Sequence, residues 1–345
     1  MSRDVHLVGS IGLDTVAEVF STVGPLLGGH LGRVPDGEPG GRRMWIGWQY
    51  PLLRASPFLE VDADAAGRTK NGFLPLTIAH DARPDGISFP ELGYAREARA
   101  SYLDFAAARE AGLLPRDIRF QVCLPTPFSV VLAACTRPVV PTVEAAYARA
   151  MMREVRLLCE AIPHRDLCIQ WDICTEMTIF DGRVGWAPEI ADFAAFLRER
   201  LARQATAIPA DVELGYHLCY GDLDARHSIE PLDTAKLVAM ANLIAGAAGR
   251  AIAYIHMPVP IARDDAAYFA PLADLRLGSE TQLFLGLVHA ADGVAGTVRR
   301  IEAAASIRPD FGIASECGIS RVKTPDTVRE ILRIHAAAVG EPVAA

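Results

Sequence analysis

The run Leu167-Cys168-Ile169-Gln170-Trp171-Asp172-Ile173 is apolar almost throughout and turns polar only near its end. A half-exposed strand would alternate. A run this apolar fits a strand buried on both faces, as in a parallel sheet covered by helices. Short β-rich runs of the same kind occur at 5–9, 30–35, 119–124, 212–219, 252–256, 283–289 and 311–317. Alanine-rich stretches with helical spacing lie between them, at 143–161, 190–207, 233–247, 294–305 and 325–339. Thr324 before Pro325 is a favourable N-cap with proline in the first turn, and Thr234 follows a Pro231-Leu232-Asp233 entry. Strands alternating with crossover helices predict an α/β chain folded as a single (β/α)8 TIM barrel. The segment 38–118 is too long for one loop and one helix and is rich in Pro, Gly and aromatic residues. It is expected to be an insertion over the barrel mouth after the second strand. No tandem repeat or low-complexity linker divides the chain, so residues 1–345 are read as one catalytic domain.

Composition narrows the function classes. The 345 residues are 51% hydrophobic and 22% charged, with mean hydropathy +0.19, which suits a large buried core and excludes disorder, collagen and coiled coil. Acidic residues outnumber basic ones 42 to 34, for a net charge of −8, and there is no long basic block. Neither nucleic acid nor an anionic membrane is an expected partner. The uncharged stretch 120–136 contains Pro125 and Pro127 and makes a poor membrane helix. The start of the chain lacks the basic and apolar segments of a signal peptide, so the cytoplasm is the expected location. Seven scattered cysteines show no disulfide-scaffold spacing, and Cys123, Cys135, Cys159, Cys168 and Cys174 read as buried thiols.

Active sites of closed parallel barrels form where the strands end. The polar residues at the predicted ends are Ser10, Asp36 with Glu38, Thr126, Asp172, His217 with Cys219, His256, His289, and Glu316 with Cys317. Any one of these reads equally well as a cap or a satisfied core group; eight ends of this kind together do not. In the His217-Leu218-Cys219 pair, residues two apart in an extended segment share a face and can reach one ion. Cys317 can bring a second thiolate from the last strand, giving a nitrogen and two sulfurs suited to zinc, with His256 or Glu316 as the fourth ligand. Spacing alone does not separate an open catalytic site from a closed structural one. The segment Val8-Gly9-Ser10-Ile11-Gly12 matches no nucleotide-binding loop, and no G-x-S-x-G elbow is present.

These residues occur in the order Val8-Gly9-Ser10, Asp36-Gly37-Glu38 with Arg42 and Arg43, Gln170-Trp171-Asp172, His217-Leu218-Cys219, Val288-His289 and Glu316-Cys317-Gly318. The series resembles the catalytic barrel of cobalamin-independent methionine synthase across nearly the whole chain. It is similar also to shorter relatives that act on thiols such as coenzyme M, and more distantly to uroporphyrinogen decarboxylase barrels. The resemblance implies zinc as cofactor, with His217, Cys219 and Cys317 as ligands. It implies that Ser10, Glu38 and Asp172 hold the substrate, and Thr126 at its strand end joins that group. His289 matches a histidine near the transferred group, where it would act as an acid, with Asp292 to orient it. His256 aligns with a glutamate ligand of the family. Ile173-Cys174 replaces the family's acidic-proline pair, a departure that sets methionine synthesis itself apart.

The resulting expectation is a zinc-dependent alkyl or methyl transferase that binds a small thiol as zinc thiolate and takes the alkyl group from a small-molecule donor. A zinc-dependent lyase or ether-cleaving enzyme is the alternative, and a structural barrel with zinc closed by His217, Cys219, His256 and Cys317 is a third. Trp45, Trp48, Phe58, Phe73, Phe89 and Tyr94 in the insertion either cover an apolar or aromatic substrate or pack the insertion onto the barrel. Arg42, Arg43 and Arg321 are candidate anion partners, with surface ion pairs as the default. The sequence leaves room for a homo-oligomer.

Overall fold

The computed structural model describes residues 3–65, 67–69, 71–223, 226–321 and 323–340. Its strands in chain order are β1 (Val5–His6), β2 (Arg33–Pro35), β3 (Leu59–Val61), β4 (Leu76–Ile78), β5 (Arg119–Pro125), β6 (Leu167–Ile173), β7 (Glu213–Leu218), β8 (Tyr254–Pro258), β9 (Gln282–Val288) and β10 (Gly312–Ser315). Eight of them form one all-parallel sheet in the order β1-β10-β9-β8-β7-β6-β5-β2, and β3 and β4 pair as a separate antiparallel ribbon. Parallel bridges Val5 to Leu31 and Ser10 to Gly37 bring β1 against β2 and complete the barrel. The eight predicted runs are the eight barrel strands. The burial predicted for Leu167–Ile173 holds at every position.

The expected helices form at Val140–Ala161, Phe193–Thr206, Ala235–Ala247, Gly293–Ala305 and Pro325–Gly340. Thr324 caps the last of these through a 3.2 Å bond from the Thr327 backbone N–H. Thr234 instead donates its hydroxyl to the Tyr268 carbonyl at 3.2 Å.

The insertion is shorter than 38–118. Tyr94–Glu110 is a helix of the barrel's outer layer, where Phe105 meets Phe20 of the first helix at 5.9 Å and Phe120 of β5 at 5.4 Å between ring centroids. What lies over the mouth is the stretch before it. Side chains of the helix Val140–Ala161 hold the end of that stretch down: the buried Glu154 carboxylate accepts the backbone N–H of Leu92 and that of Ala95 in the first turn of the helix after it, both at 2.7 Å. Arg153 reaches the carbonyls of Phe89 and Pro90 at 2.7 and 2.8 Å. Buried Gln49 donates to the Leu92 carbonyl and accepts from the Tyr147 hydroxyl. No described helix is long and apolar enough to cross a membrane.

Candidate functional site

Strand register sets the site. Asp172 of β6, His217 of β7 and His256 of β8 are consecutive partners across the sheet, so the three occupy one row at the C-terminal rim. Cys219 follows β7 and keeps a backbone bond to the Ile173 carbonyl at 3.2 Å, which extends the pairing far enough to aim its thiol with His217. Cys317 lies in the turn after β10, where the Ser315 hydroxyl donates to the Cys317 carbonyl at 2.7 Å. Gly318 beside it packs closely on Ser10, since a Cβ there would lie 2.1 Å from Ser10 Oγ and force that hydroxyl to move.

The donor atoms of His217, Cys219 and Cys317 all lie within 4.8 Å of one another. Cys219 Sγ is 3.6 Å from Cys317 Sγ, which is 3.7 Å from His217 Nε2. A tetrahedral ion with Zn–S of about 2.3 Å and Zn–N of about 2.05 Å requires edges of roughly 3.8 Å for sulfur to sulfur and 3.6 Å for sulfur to nitrogen. Two of the three edges match these values and all three donors lie within 4.8 Å, so the set suits zinc in donor number and type and gathers its atoms around one point.

His256 does not join them. Its Nδ1 is 2.7 Å from His217 Nδ1 and its Nε2 is 3.1 Å from the Ser315 carbonyl oxygen, so both nitrogens are spent within the protein. Burial pushes its pKa down to about 3 and holds His217 well below the usual imidazole range, so both rings are neutral. Glu316 is no ligand either; it lies 3.0 Å from His227 Nε2 in an ion-pair approach that is off line for a hydrogen bond, and 3.9 Å from His289 Nδ1. The closed four-ligand site is thus not formed.

Two carboxylates, Asp172 and Glu38, line the same cavity of about 480 Å³ as the cluster. Asp172 accepts from Gln170 Nε2 at 2.9 Å and Trp45 Nε1 at 3.1 Å. Gln170 is itself fixed by His6, Tyr254 and the Val8 carbonyl inside the barrel. Glu38 projects from a turn in which Asp36 accepts the Glu38 N–H at 2.9 Å and is held by Arg42 and Ser101. Glu38 and Trp45 are the non-glycine residues with φ in the left-handed region among those described, both at 53°, and both line the cavity. Such conformations cost about 1–3 kcal/mol each and collect at functional sites. Burial, with Asp172 and Asp36 as neighbours, raises the Glu38 carboxyl to about 8, and burial raises Asp172 to about 7 against the opposing bonds from Gln170 and Trp45.

These shifts predict a pH dependence. Between pH 4 and 8 the folded chain holds protons that the unfolded chain releases, so stability from these groups is complete at acid pH and falls as pH rises through both values. In metal-free protein, urea stability should drop from pH 5 to pH 8, and Glu38→Gln should flatten the drop. An equally steep drop in that variant would refute the assignment.

Other expected residues lie elsewhere. Thr126 is buried as the N-cap of the helix Pro127–Ala134 and bonds Glu176, so it does not reach the cavity. His289 donates its Nε2 hydrogen to the Val259 carbonyl, 2.9 Å away, lies 3.9 Å from Glu316, and is not on the cavity wall. Asp292 faces Arg300, which grips both its oxygens at 2.6 and 2.8 Å, and makes no bond to His289. Ser10 does line the cavity, as do Arg321 and Cys174. Arg42 and Arg43 are ion-paired to Asp36 and Asp14. Among the insertion aromatics named above, only Trp45 faces the cavity: Trp48 packs edge-on against Tyr94, Phe73 stacks on Tyr50 and Phe89 meets Tyr147. The sequence reading missed Trp186 and the 132–138 segment, which complete the apolar wall.

No protein-family model and no curated protein matches the chain. Solved structures match throughout. The Listeria monocytogenes protein assigned as a vitamin-B12-independent methionine synthase aligns with TM-score 0.60 at 16% identity, covering 97% of this chain and 97% of that one. The chain has the methionine-synthase barrel fold. A B12-independent methionine synthase from Shewanella sp. W3-18-1, solved with selenomethionine, aligns over the same shares of both chains with TM-score 0.56 at 11% identity. The methionine-synthase likeness read from the sequence is met at the level of fold, and it extends over nearly all of the chain.

Proposed function

We propose that the protein is a zinc-dependent alkyl transferase that methylates or otherwise alkylates a small thiol. The observation carrying this reading is the His217, Cys219 and Cys317 cluster, three soft donors opening on a cavity instead of a closed set of four. Bound zinc would supply the acidity that ionises a substrate thiol at neutral pH and the charge that holds its sulfur in place. The shared fold with a protein that was solved bound to selenomethionine supports a small sulfur or selenium substrate.

The chain's own residues divide the remaining work. Asp172 takes two N–H bonds that oppose the effect of burial and leave it more readily ionised than Glu38, and so serves as the carboxylate that orients a polar substrate head. Glu38 lacks comparable donors and is raised further by Asp172, so it keeps its proton near neutrality and delivers it to the departing oxygen or nitrogen of the alkyl donor. Trp45, Ile46, Leu132 and Trp186 present an apolar wall that excludes water and suits the body of a donor with aromatic or aliphatic character.

The test is mass balance. Zinc-reconstituted protein is given a panel of small thiols with aryl and alkyl methyl ethers and methylamines as donors, and the products are read by mass spectrometry. Thioether formed in step with dealkylated donor is the expected result. Donor cleaved with no thiol consumed would replace transfer by the lyase reading.

A further inference from the structure

His256 has the residue type of a metal ligand, lies on the strand next to one, and is not within the metal cluster. Its bonds assign it a different task. The ring is fully buried on β8 and is the direct register partner of His217 on β7. The Ser315 carbonyl oxygen can only accept, so the Nε2 that lies 3.1 Å from it carries the hydrogen. A neutral imidazole has one N–H, which leaves His256 Nδ1 bare. His217 Nδ1 lies 2.7 Å from that bare nitrogen, a separation that two lone pairs would not tolerate and that is too short for a ring carbon in either place. The bridging hydrogen therefore sits on His217 Nδ1, and His217 Nε2 keeps its lone pair on the side where Cys317 Sγ is 3.7 Å away. Ser315 closes the arrangement: its carbonyl holds His256, while its hydroxyl donates to the Cys317 carbonyl at 2.7 Å.

Resting on the metal-centre reading above, we infer that His256 is a positioning residue, which together with Ser315 fixes His217 in the tautomer that offers Nε2 to the metal and ties that ring to the turn carrying Cys317. The tautomer is set before any metal arrives, and ligand orientation comes from within the fold. With zinc bound, Cys219 and Cys317 as thiolates and His217 as a neutral imidazole would balance its two charges and would leave room for a substrate sulfur.

The first readout needs no metal. Long-range proton–nitrogen NMR on metal-free protein with 15N-labelled histidine should show His217 protonated at Nδ1 and His256 at Nε2. His217 protonated at Nε2 would overturn the inference. The second readout is zinc affinity, measured by competition with a chromophoric chelator, in His256→Leu and His256→Asn. Leucine removes the acceptor and should weaken zinc binding roughly 10–100-fold, whereas the asparagine carboxamide oxygen can replace Nδ1 and should recover most of the loss. Unchanged affinity in a folded His256→Leu protein, or a zinc-induced shift of the His256 nitrogens into the metal-bound range, would overturn the inference. If the leucine variant does not fold, the wild-type tautomers still decide. Wild-type protein with the expected tautomers but no zinc binding would refute the alkyl-transferase reading and leave the tautomer assignment standing.

Discussion

Replacing Cys219 or Cys317 by serine is expected to reduce bound zinc from one ion per chain to background and to remove alkyl transfer with it. Each substitution exchanges a soft, ionisable thiol for a hydroxyl that stays protonated at neutral pH, so the site loses a ligand and a negative charge together. The remaining pair, one imidazole and one sulfur, holds too little to retain zinc through dialysis, and the loss should exceed the roughly 10–100-fold expected when an outer partner is removed. The geometry sharpens the comparison with the other cysteines. Cys174 lines the same cavity but stands outside the three-donor cluster, so Cys174→Ser should keep its zinc. Cys168 is buried in the barrel wall with its thiol pushed up to about 12, and Cys168→Ser should also keep its zinc. Metal content by plasma mass spectrometry separates the cases. A full zinc complement in either cluster variant would remove the centre on which the proposed chemistry rests.

The sequence carried the barrel well because strand burial leaves a local mark. Leu167–Ile173 is buried at every position, and a run so apolar has few other structures open to it. His217 and Cys219 were legible for a similar reason, since a two-residue offset on a strand keeps one face whatever lies beyond it. What failed depended on partners far along the chain. His256 closes its apolar run in the sequence much as His217 does, but β8 continues to Pro258, and its role is decided by the lateral register of β7 against β8 and by a carbonyl 59 positions away. Thr126 was claimed by Glu176, and Asp292 by Arg300. The helix Tyr94–Glu110 was absorbed into the insertion because its buried face is built largely from Ala95, Ala98, Ser101 and Ala108, small residues that give a weak periodic signal. Trp45 was read either as a cover for substrate or as packing, and the structure adds a bond from its indole N–H to Asp172.

Outside the cavity, substitution of Arg300 is expected to be among the most damaging changes to stability, with Arg300→Met costing about 3–5 kcal/mol. Its side chain has no solvent exposure. It donates to the Leu287 carbonyl at 2.8 Å, the Ile261 carbonyl at 2.8 Å and both oxygens of Asp292, so one guanidinium joins β9, the loop after β8 and the start of the helix Gly293–Ala305. The fit is tight, since a Cβ on Gly296 would lie 1.9 Å from Asp292 Oδ2. Methionine can fill much of the volume but leaves a carboxylate and two carbonyls without their donor. The Arg300 bonds hold the Asp292 pKa below its ordinary value, so the ion pair stabilises the fold above the unfolded carboxylate's pKa and that contribution fades as pH falls through the lowered folded value. Urea unfolding should therefore show a gap between wild type and Arg300→Met that is wide at pH 7 and narrows below about pH 4. Adding Asp292→Asn to Arg300→Met should recover part of the loss, because the largest penalty is a carboxylate left with only the more distant Arg299, 3.7 Å away, rather than the missing attraction. A loss under about 1 kcal/mol at pH 7 would mean that water reaches these groups in place of the guanidinium, and that the turn bearing His289 is held by its backbone alone.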